Sequence, residues 1–139
     1  MSVISTDVAR AQPRTAVQWL AVLGLLVTGF VHLALVPEHF EEATYSGWLF
    51  LADSLAALVL VPVLWRSDRR WAWLAAALLG GLTVAAYIFS RTAGLPGLAD
   101  DIGRWTEPLS FPALAAEVTL VVVAVARLSG SASPRSPGR

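Results

Sequence analysis

Four long apolar runs constrain this chain more than any other feature of its sequence. They cover residues 17–36, 47–65, 71–90 and 109–127, and each has 19 or 20 residues. A helix needs about 20 mostly apolar residues to cross the hydrocarbon core of a bilayer. Backbone groups in lipid must also find their partners within the segment, which favours helices over isolated strands. The sequence therefore predicts an all-α protein, a four-helix transmembrane bundle that occupies residues 17–127.

The composition agrees with a membrane protein. Hydrophobic residues make up 56% of the chain and charged residues 14%, whereas about 25% charge is usual in soluble domains. The chain has no cysteine, which excludes disulfides, thiolate metal sites, iron–sulfur clusters and cysteine nucleophiles. The arginines are spread over segments that flank the apolar runs, so nucleic-acid binding is not expected. The expected partner is the lipid bilayer, and a membrane-protein partner or a homo-oligomer stays open.

The arginines also predict how the helices are oriented. Three of them lie in the short turn 66–70, and others precede the first run and follow the last. The segments 37–46 and 91–108 carry mainly acidic residues. Because cytoplasmic loops are enriched in arginine and lysine, both termini are predicted to be cytoplasmic and the two acidic loops to face outward. All ten basic residues are arginine, which we attribute to a GC-rich genome, and we expect a bacterial plasma membrane.

The two ends of the chain are predicted to lie outside the bundle. Residues 1–16 form a cytoplasmic N-terminal segment, and residues 128–139 form a disordered cytoplasmic tail rich in Ser, Pro and Gly. An alternative interpretation of the first run is a signal peptide, because Arg10 and Arg14 precede it. Its apolar stretch is longer than a usual signal-peptide core, and no Ala-x-Ala cleavage pattern follows it. We therefore expect it to remain as the first helix.

Ionisable side chains inside the predicted helices lie in their outer halves. His32 lies near the outer end of the first run, Asp53 in the second and Glu117 in the fourth. Charged side chains in a membrane are costly, so they normally face the interior of a bundle and mark a functional site. The sequence therefore predicts an outward-facing pocket of histidine and carboxylate groups. Its residues are His32, Glu38, His39, Asp53, Tyr87, Arg91, Glu107 and Glu117.

A structural interpretation of the same residues stays open. Asp53 and Glu117 would then bond to one another, or to Arg91 and Tyr87, and hold the helices in register. His32 would form a hydrogen bond between helices. Some acids of the outer segments are expected to be solvated and to lie outside the pocket. These are Glu41, Asp100 and Asp101.

One segment of the pocket has the composition of a metal site. In "HLALVPEHFEE", residues 32–42, two histidines and three glutamates lie close together. Imidazole and carboxylate suit Zn, Mn or Fe, so the segment predicts a divalent metal bound by His32, His39 and Glu42. Pro37 followed by acids favours a helix start at that point. The H-E-x-x-H and paired E-x-x-H motifs are absent. No nucleotide-binding motif occurs, and haem is disfavoured because both histidines lie on one helix and its extension.

Small residues in the third run predict close packing against a neighbouring helix. They recur every four residues, a spacing that lets helix backbones approach in a membrane. Alanine is also common throughout this chain, so a chance pattern stays an alternative. The two rows are Ala72, Ala76 and Gly80, and Ala77, Gly81 and Ala85.

The outer segments resemble a family of small, uncharacterised bacterial membrane proteins with four helices. "HLALVPEHFEEATYSGWLF" matches the family's H-x5-E-H segment, which is followed by Gly and an aromatic-rich helix. "SRTAGLPGLADDIGRWTEPLSFPALAAE" matches its R-x-x-G-L-P pattern and its late E-P, but has "LSFP" where many members have an acid. The resemblance implies the same architecture and site residues, and no activity. The matching positions are His32, Glu38, His39, Gly47, Arg91, Gly94, Leu95, Pro96, Glu107, Pro108 and Glu117.

Three classes of function fit these features. A binding or sensing module would use the outward-facing pocket, with a metal cation as one candidate ligand. A small proton-coupled transporter or accessory subunit would use Asp53 and Glu117, although the inner halves of the runs carry no acid. A purely structural subunit would use the polar residues for packing alone. An enzyme is the least supported class, because no nucleophile elbow or phosphate-binding loop occurs.

Overall fold

Four helices form the bundle in a computed structural model of the protein, which describes residues 15–130. Each is long and apolar enough to cross a membrane, and the described residues contain no strand. The predicted all-α four-helix bundle is therefore confirmed. The predicted end segments 1–16 and 128–139 lie outside the described residues, except for 15–16 and 128–130. The helices are α1 (Ala16–Glu42), α2 (Thr44–Arg66), α3 (Arg70–Thr92) and α4 (Ser110–Gly130).

α1 is longer than the first apolar run, and it corrects the prediction of a loop at 37–46. The helix continues through Pro37 to Glu42, so Pro37 does not start a helix. The residues that follow Pro37 are mostly polar but include no glycine, and polarity ends a lipid-facing span without ending a helix. Only Ala43, in an extended conformation, separates α1 from α2. The two helices form a tight hairpin at the outer end of the bundle, the end that is predicted to face outward.

The helices pack in an uneven ring. α1 lies closely against both α2 and α4, and α3 lies closely against α4. The Ser54 hydroxyl on α2 donates a hydrogen bond to the carbonyl oxygen of Gly29 on α1 at 2.8 Å. α2 and α3 touch only sparsely, although they are neighbours along the chain. This loose side of the ring is named the α2–α3 cleft here. The residues that line it are Leu49, Phe50, Asp53, Leu82, Thr83 and Ala86.

The inner half of the bundle is filled by apolar side chains. Among residues 15–130, no ionisable side chain belongs to this core. At the inner end, Asp68 accepts a hydrogen bond from the Trp73 indole at 2.7 Å and forms an ion pair with Arg127. The inner end is thereby fastened between the α2–α3 turn and α4. The largest buried core residues are Leu25, Leu64, Trp73 and Leu120.

Gly80 lets α3 and α4 approach closely beside Glu117. A Cβ atom at position 80 would lie 2.9 Å from the backbone carbonyl oxygen of Glu117, closer than real Cβ atoms lie to such atoms. Ala72 and Ala76, in the same predicted row, are also buried. The second predicted row is different, because a Cβ atom at Gly81 would meet no atom within 4 Å. Only the first row therefore serves a close helix contact.

Gly80→Ala and Gly81→Ala form a matched pair that tests this contact. We expect Gly80→Ala to lower the free energy of unfolding by about 1–3 kcal/mol, because the α4 backbone must move to admit a methyl group. Gly81→Ala should raise it by up to about 1 kcal/mol, because alanine favours the helix and no atom obstructs it. Unfolding of the full-length protein by SDS in mild detergent measures both values. Equal destabilisation by the two substitutions would contradict the close contact at Gly80.

Candidate functional site

His32 of α1 lies between two carboxyl groups that come from neighbouring helices. Its Nδ1 atom is 3.1 Å from Oδ2 of Asp53 on α2, and its Nε2 atom is 3.6 Å from Oε1 of Glu117 on α4. His32 and Glu117 are only 5% and 2% exposed, and Asp53 is less completely buried. These three residues are named the carboxylate–histidine cluster. The sequence placed them at similar depths, and the fold brings them into contact.

The atoms around His32 indicate that its Nδ1 atom carries a hydrogen. The carbonyl oxygen of Thr28 lies 3.0 Å from Nδ1 and can only accept a hydrogen bond, so Nδ1 carries a hydrogen and donates it there. Within the described part of the chain, Oδ2 of Asp53 and Oε1 of Glu117 are buried oxygens without a hydrogen bond. Such atoms are uncommon in folded proteins. The cluster therefore contains two buried acceptor atoms that no donor of residues 15–130 satisfies.

Thr83 brings α3 into the same cluster. Its hydroxyl lies 3.2 Å from Oδ1 of Asp53 and 2.7 Å from the carbonyl oxygen of Leu79. A hydroxyl carries one hydrogen, so these two acceptors compete for it. The sequence prediction missed Thr83, because an uncharged threonine in an apolar run commonly bonds to its own helix and gives no distinct signal. All four helices thus contribute a polar group at this level.

A second set of charged groups lies at the outer end of α3. The guanidinium of Arg91 is 2.9 Å from Oδ1 of Asp101 and 2.5 Å from Oε2 of Glu107. It also lies 5.1 Å from the centre of the Tyr87 ring. Arg104 reaches the same two acids from the surface, where its side chain is 55% exposed. Arg91, Asp101 and Glu107 are named the Arg91 network. With Arg104 included, two positive charges face two negative charges.

The loop 93–109 covers the outer end of the bundle. The backbone N–H of Gly103 donates a hydrogen bond to the carbonyl oxygen of Arg91 at 2.9 Å, which holds the loop against α3. On the other side, the hydroxyl of Tyr45 on α2 donates to the carbonyl oxygen of Pro96 at 2.7 Å. The loop is therefore fastened to the helices on both sides of the α2–α3 cleft.

A cavity of about 270 Å³ lies between the carboxylate–histidine cluster and the Arg91 network. Its walls are mainly apolar, and leucines from α1, α2, α3 and α4 contribute to them. Its ionisable groups belong to the cluster and the network, together with His39 and the phenols of Tyr45 and Tyr87. Seven of the eight residues predicted for the pocket line this cavity. They are His32, His39, Asp53, Tyr87, Arg91, Glu107 and Glu117.

The predicted metal ligands His32, His39 and Glu42 do not come together. Glu42 and Glu38 lie exposed on the last turns of α1 and do not line the cavity. The ring of Phe50 contacts both imidazole rings, with centres 4.9 Å from His32 and 3.5 Å from His39. Across the part of the chain that the structure describes, no group of three or more His, Asp or Glu side chains is placed to hold a metal ion. The geometry of these residues gives the metal prediction no support.

Asp101 is a site residue that the sequence prediction wrongly assigned to solvent. It ends the 3₁₀ helix Ala99–Asp101, and its side chain is 14% exposed. Besides pairing with Arg91, it accepts a hydrogen bond from the Ser90 hydroxyl at 3.0 Å. The neighbouring Asp100 is exposed, as predicted. A buried arginine requires carboxylate partners, but two adjacent aspartates in a loop do not reveal in sequence which one turns inward.

The fold and the cavity together define the class of this protein. It is a polytopic membrane protein of four helices, with a cavity in one half of the bundle and a filled core in the other. Comparison of the chain with protein-family models, with curated proteins and with solved structures gave no match. The chemistry of the cavity's own residues is therefore the basis for its function.

Arg91→Met and Arg104→Met compare a buried and an exposed arginine that contact the same two acids. We expect Arg91→Met to lower the free energy of unfolding by about 3 kcal/mol, because it leaves Asp101 and Glu107 partly buried with one remaining arginine. Arg104→Met should cost less than about 1 kcal/mol, since the exposed side chain is screened by solvent. SDS unfolding gives both values, and limited proteolysis reports on the loop 93–109. Similar costs for both variants would show that burial of Arg91 contributes nothing.

A double-mutant cycle tests the contact between His32 and Asp53. His32→Gln and Asp53→Asn, singly and together, should give a coupling free energy of about 1–3 kcal/mol, as expected for buried groups in contact. The exposed ion pair between Asp68 and Arg127 is the control, and its cycle should give less than about 1 kcal/mol. The free energies come from SDS unfolding in one detergent. Additive effects of the two cluster substitutions would be inconsistent with the contact.

Proposed function

We propose that this protein is a membrane-embedded binding module that holds a positively charged group at the carboxylate–histidine cluster. One observation carries the proposal: two buried carboxylate oxygens, on Asp53 and Glu117, lie on either side of His32 and lack a hydrogen bond within residues 15–130. Both residues line the cavity. A cationic donor in the cavity would supply the partner that these oxygens lack.

Charge counting supports a cation as the ligand. The cluster brings two carboxyl groups to one imidazole, so its acids outnumber its bases by one. An uncompensated charge at membrane depth is costly. The Arg91 network offers no compensation, because Arg91 and Arg104 are already matched by Asp101 and Glu107. A bound cation would restore the balance, and a bound anion would worsen it.

The filled inner core supports binding over transport. Beyond the buried hydroxyls of Thr28 and Ser54, toward the inner end, the buried side chains are apolar, with Leu25, Leu64 and Leu120 among the largest. A cation that left the cavity in that direction would pass these two hydroxyls and then meet a described core of leucine, valine, alanine and Trp73, and passage through such surroundings is costly. With both termini in the cytoplasm, the cavity would face the outside of a bacterial plasma membrane, so the module would sample that side.

A second candidate function is a proton-coupled transporter or accessory subunit that uses Asp53 and Glu117. The position of His32 favours it, because its ring lies 3.1 Å from Asp53 and 3.6 Å from Glu117. Transfer to Asp53 would move the Nδ1 hydrogen away from the carbonyl oxygen of Thr28. An imidazole placed in this way offers a route for a proton between two acids. This candidate requires a continuation through the apolar inner core, which a partner subunit would have to supply.

Cation binding to the full-length protein in phosphatidylcholine nanodiscs tests the proposal. The probes are methylammonium, octylammonium and Zn²⁺, each titrated calorimetrically as its chloride salt. We expect at least one alkylammonium ion to bind saturably with one site per chain. Asp53→Asn and Glu117→Gln should each weaken that binding at least about tenfold, because each removes a charge-assisted hydrogen bond worth about 1.5–3 kcal/mol.

Asp100→Asn is the matched control for these substitutions. It also removes one acidic charge near the outer end, but Asp100 is exposed and does not line the cavity, so affinity should not change. Saturable Zn²⁺ binding that requires His32 and His39 would favour the metal ligand instead. Proton flux into liposomes that Asp53→Asn abolishes would favour the second candidate. If none of the three probes binds to the wild type, the proposal is wrong.

A further inference from the structure

We infer that the ligand is a single-chain amphiphilic amine, which carries a protonated amino group on an apolar body and reaches the cavity from the bilayer through the α2–α3 cleft. The inference rests on the proposed function, because it requires that the carboxylate–histidine cluster bind a cation. It adds the chemical nature of the rest of the ligand and its route of access. Both follow from the surfaces that surround the cluster.

The cavity has an apolar rim on the lipid-facing side of the bundle. Leu49 on α2 and Leu82 on α3 both line the cavity, and they are 61% and 69% exposed. A side chain that lines a cavity and is also largely exposed lies at its mouth. Ala86, one turn from Leu82, lines the cavity and is exposed too. Because α2 and α3 touch only sparsely, this mouth lies between the two helices. Tyr45 and Leu109, which line the cavity and are 39% and 46% exposed, lie at the outer end of the cavity.

This mouth extends to the depth of the hydrocarbon. Leu82 lies about 15 Å from Thr92, the outer end of α3, at a rise of about 1.5 Å per residue. The hydrocarbon core of a bilayer is about 30 Å thick, so Leu82 comes close to its middle. A small hydrated cation would have to enter hydrocarbon to use this mouth, which is costly. An amphiphile already has its apolar part at this depth.

The interior of the cavity matches the two parts of such a molecule. An ammonium group donates up to three hydrogen bonds, which suits the free oxygens of Asp53 and Glu117. The leucine-rich walls suit an alkyl chain, which has no polar groups to satisfy. The volume of about 270 Å³ leaves room for one short chain but not for the two acyl chains of a phospholipid.

A phospholipid with an amino headgroup would bring the same amine together with a phosphate. Arg91 is the one arginine among the residues that line the cavity. Asp101 and Glu107 already pair with it, so a phosphate would lie near acids without a free counter-charge. Burying such a charge unpaired is strongly unfavourable. A free amine avoids this cost, and the inference commits to an amine without phosphate.

Methylammonium and octylammonium separate the two parts of the ligand, because they share the headgroup and differ in the chain. In phosphatidylcholine nanodiscs we expect octylammonium to bind at an aqueous concentration at least about 100-fold lower, since each added methylene contributes roughly fourfold. Octanol has the chain without the charge and should show no saturable binding. Equal affinities for the two amines, both weakened by Glu117→Gln, would overturn the inference and leave the proposed function intact.

Leu82→Trp tests the route through the cleft. An indole at the mouth should slow the association of octylammonium at least about tenfold in stopped-flow measurements. Leu78→Trp is the matched control, because Leu78 is 63% exposed on the same helix and does not line the cavity. Leu49→Trp obstructs the mouth from α2 and provides a second variant. Unchanged association in both mouth variants, or equal slowing in the control, would overturn this route.

Nanodiscs of phosphatidylethanolamine test the other source of an amino group. The inference expects the affinity for octylammonium to change less than about threefold relative to phosphatidylcholine. Competition that weakens octylammonium at least about tenfold would identify the phospholipid as the occupant and overturn the commitment to a free amine. Failure of both amines to bind in phosphatidylcholine would overturn the inference, and failure of Zn²⁺ as well would overturn the proposed function.

Discussion

The contact of His32 with two carboxyl groups is the constraint on which the rest of the structure depends. Each of these groups is costly at membrane depth unless it meets a partner of opposite charge or a hydrogen-bonding atom. The partners come from α1, α2 and α4, so those helices must approach one another at one level. Gly80 permits the close approach of α3 at Glu117, and the Ser54–Gly29 hydrogen bond holds α1 against α2. The close packing of the helices and the contacts among these polar side chains thus depend on each other.

The same four helices form a filled core in one half and a cavity in the other, and side-chain shape explains the difference. In the inner half, leucine and Trp73 fill the space between the backbones. In the outer half, the polar side chains bond to one another at the two ends of a space that they do not fill. A polar side chain is held in one position by its hydrogen-bond or ion-pair partners, whereas an apolar side chain can adopt another rotamer that fills a gap. The inner and outer halves of the bundle therefore differ, although the helices themselves run up and down in a regular order.

The sequence predicted the spans and named seven of the residues that line the cavity, because both depend on depth in the membrane, which hydropathy and arginine position report. The errors came from features that depth does not determine. Hydropathy measures suitability for lipid and not helicity, so the predicted first span ended at Val36, although α1 reaches Glu42. Which aspartate pairs with Arg91 depends on the folded conformation of the loop, so nothing in the sequence distinguished Asp101 from Asp100. The stacking of Phe50 on His39, which separates the predicted metal ligands, is likewise invisible without the fold.

The hydrogen bond from Tyr45 to the carbonyl oxygen of Pro96 ties the loop 93–109 to α2 at the outer end of the cavity, while the side of the cavity between α2 and α3 opens toward lipid. A ligand that enters through this side must first dissolve in the hydrocarbon of the bilayer. The carboxylate–histidine cluster then selects it by charge. Partitioning concentrates an amphiphile in the membrane far above its level in solution. A site filled from that reservoir would report what has accumulated in the membrane, and it would respond while the compound is still scarce in the surrounding medium.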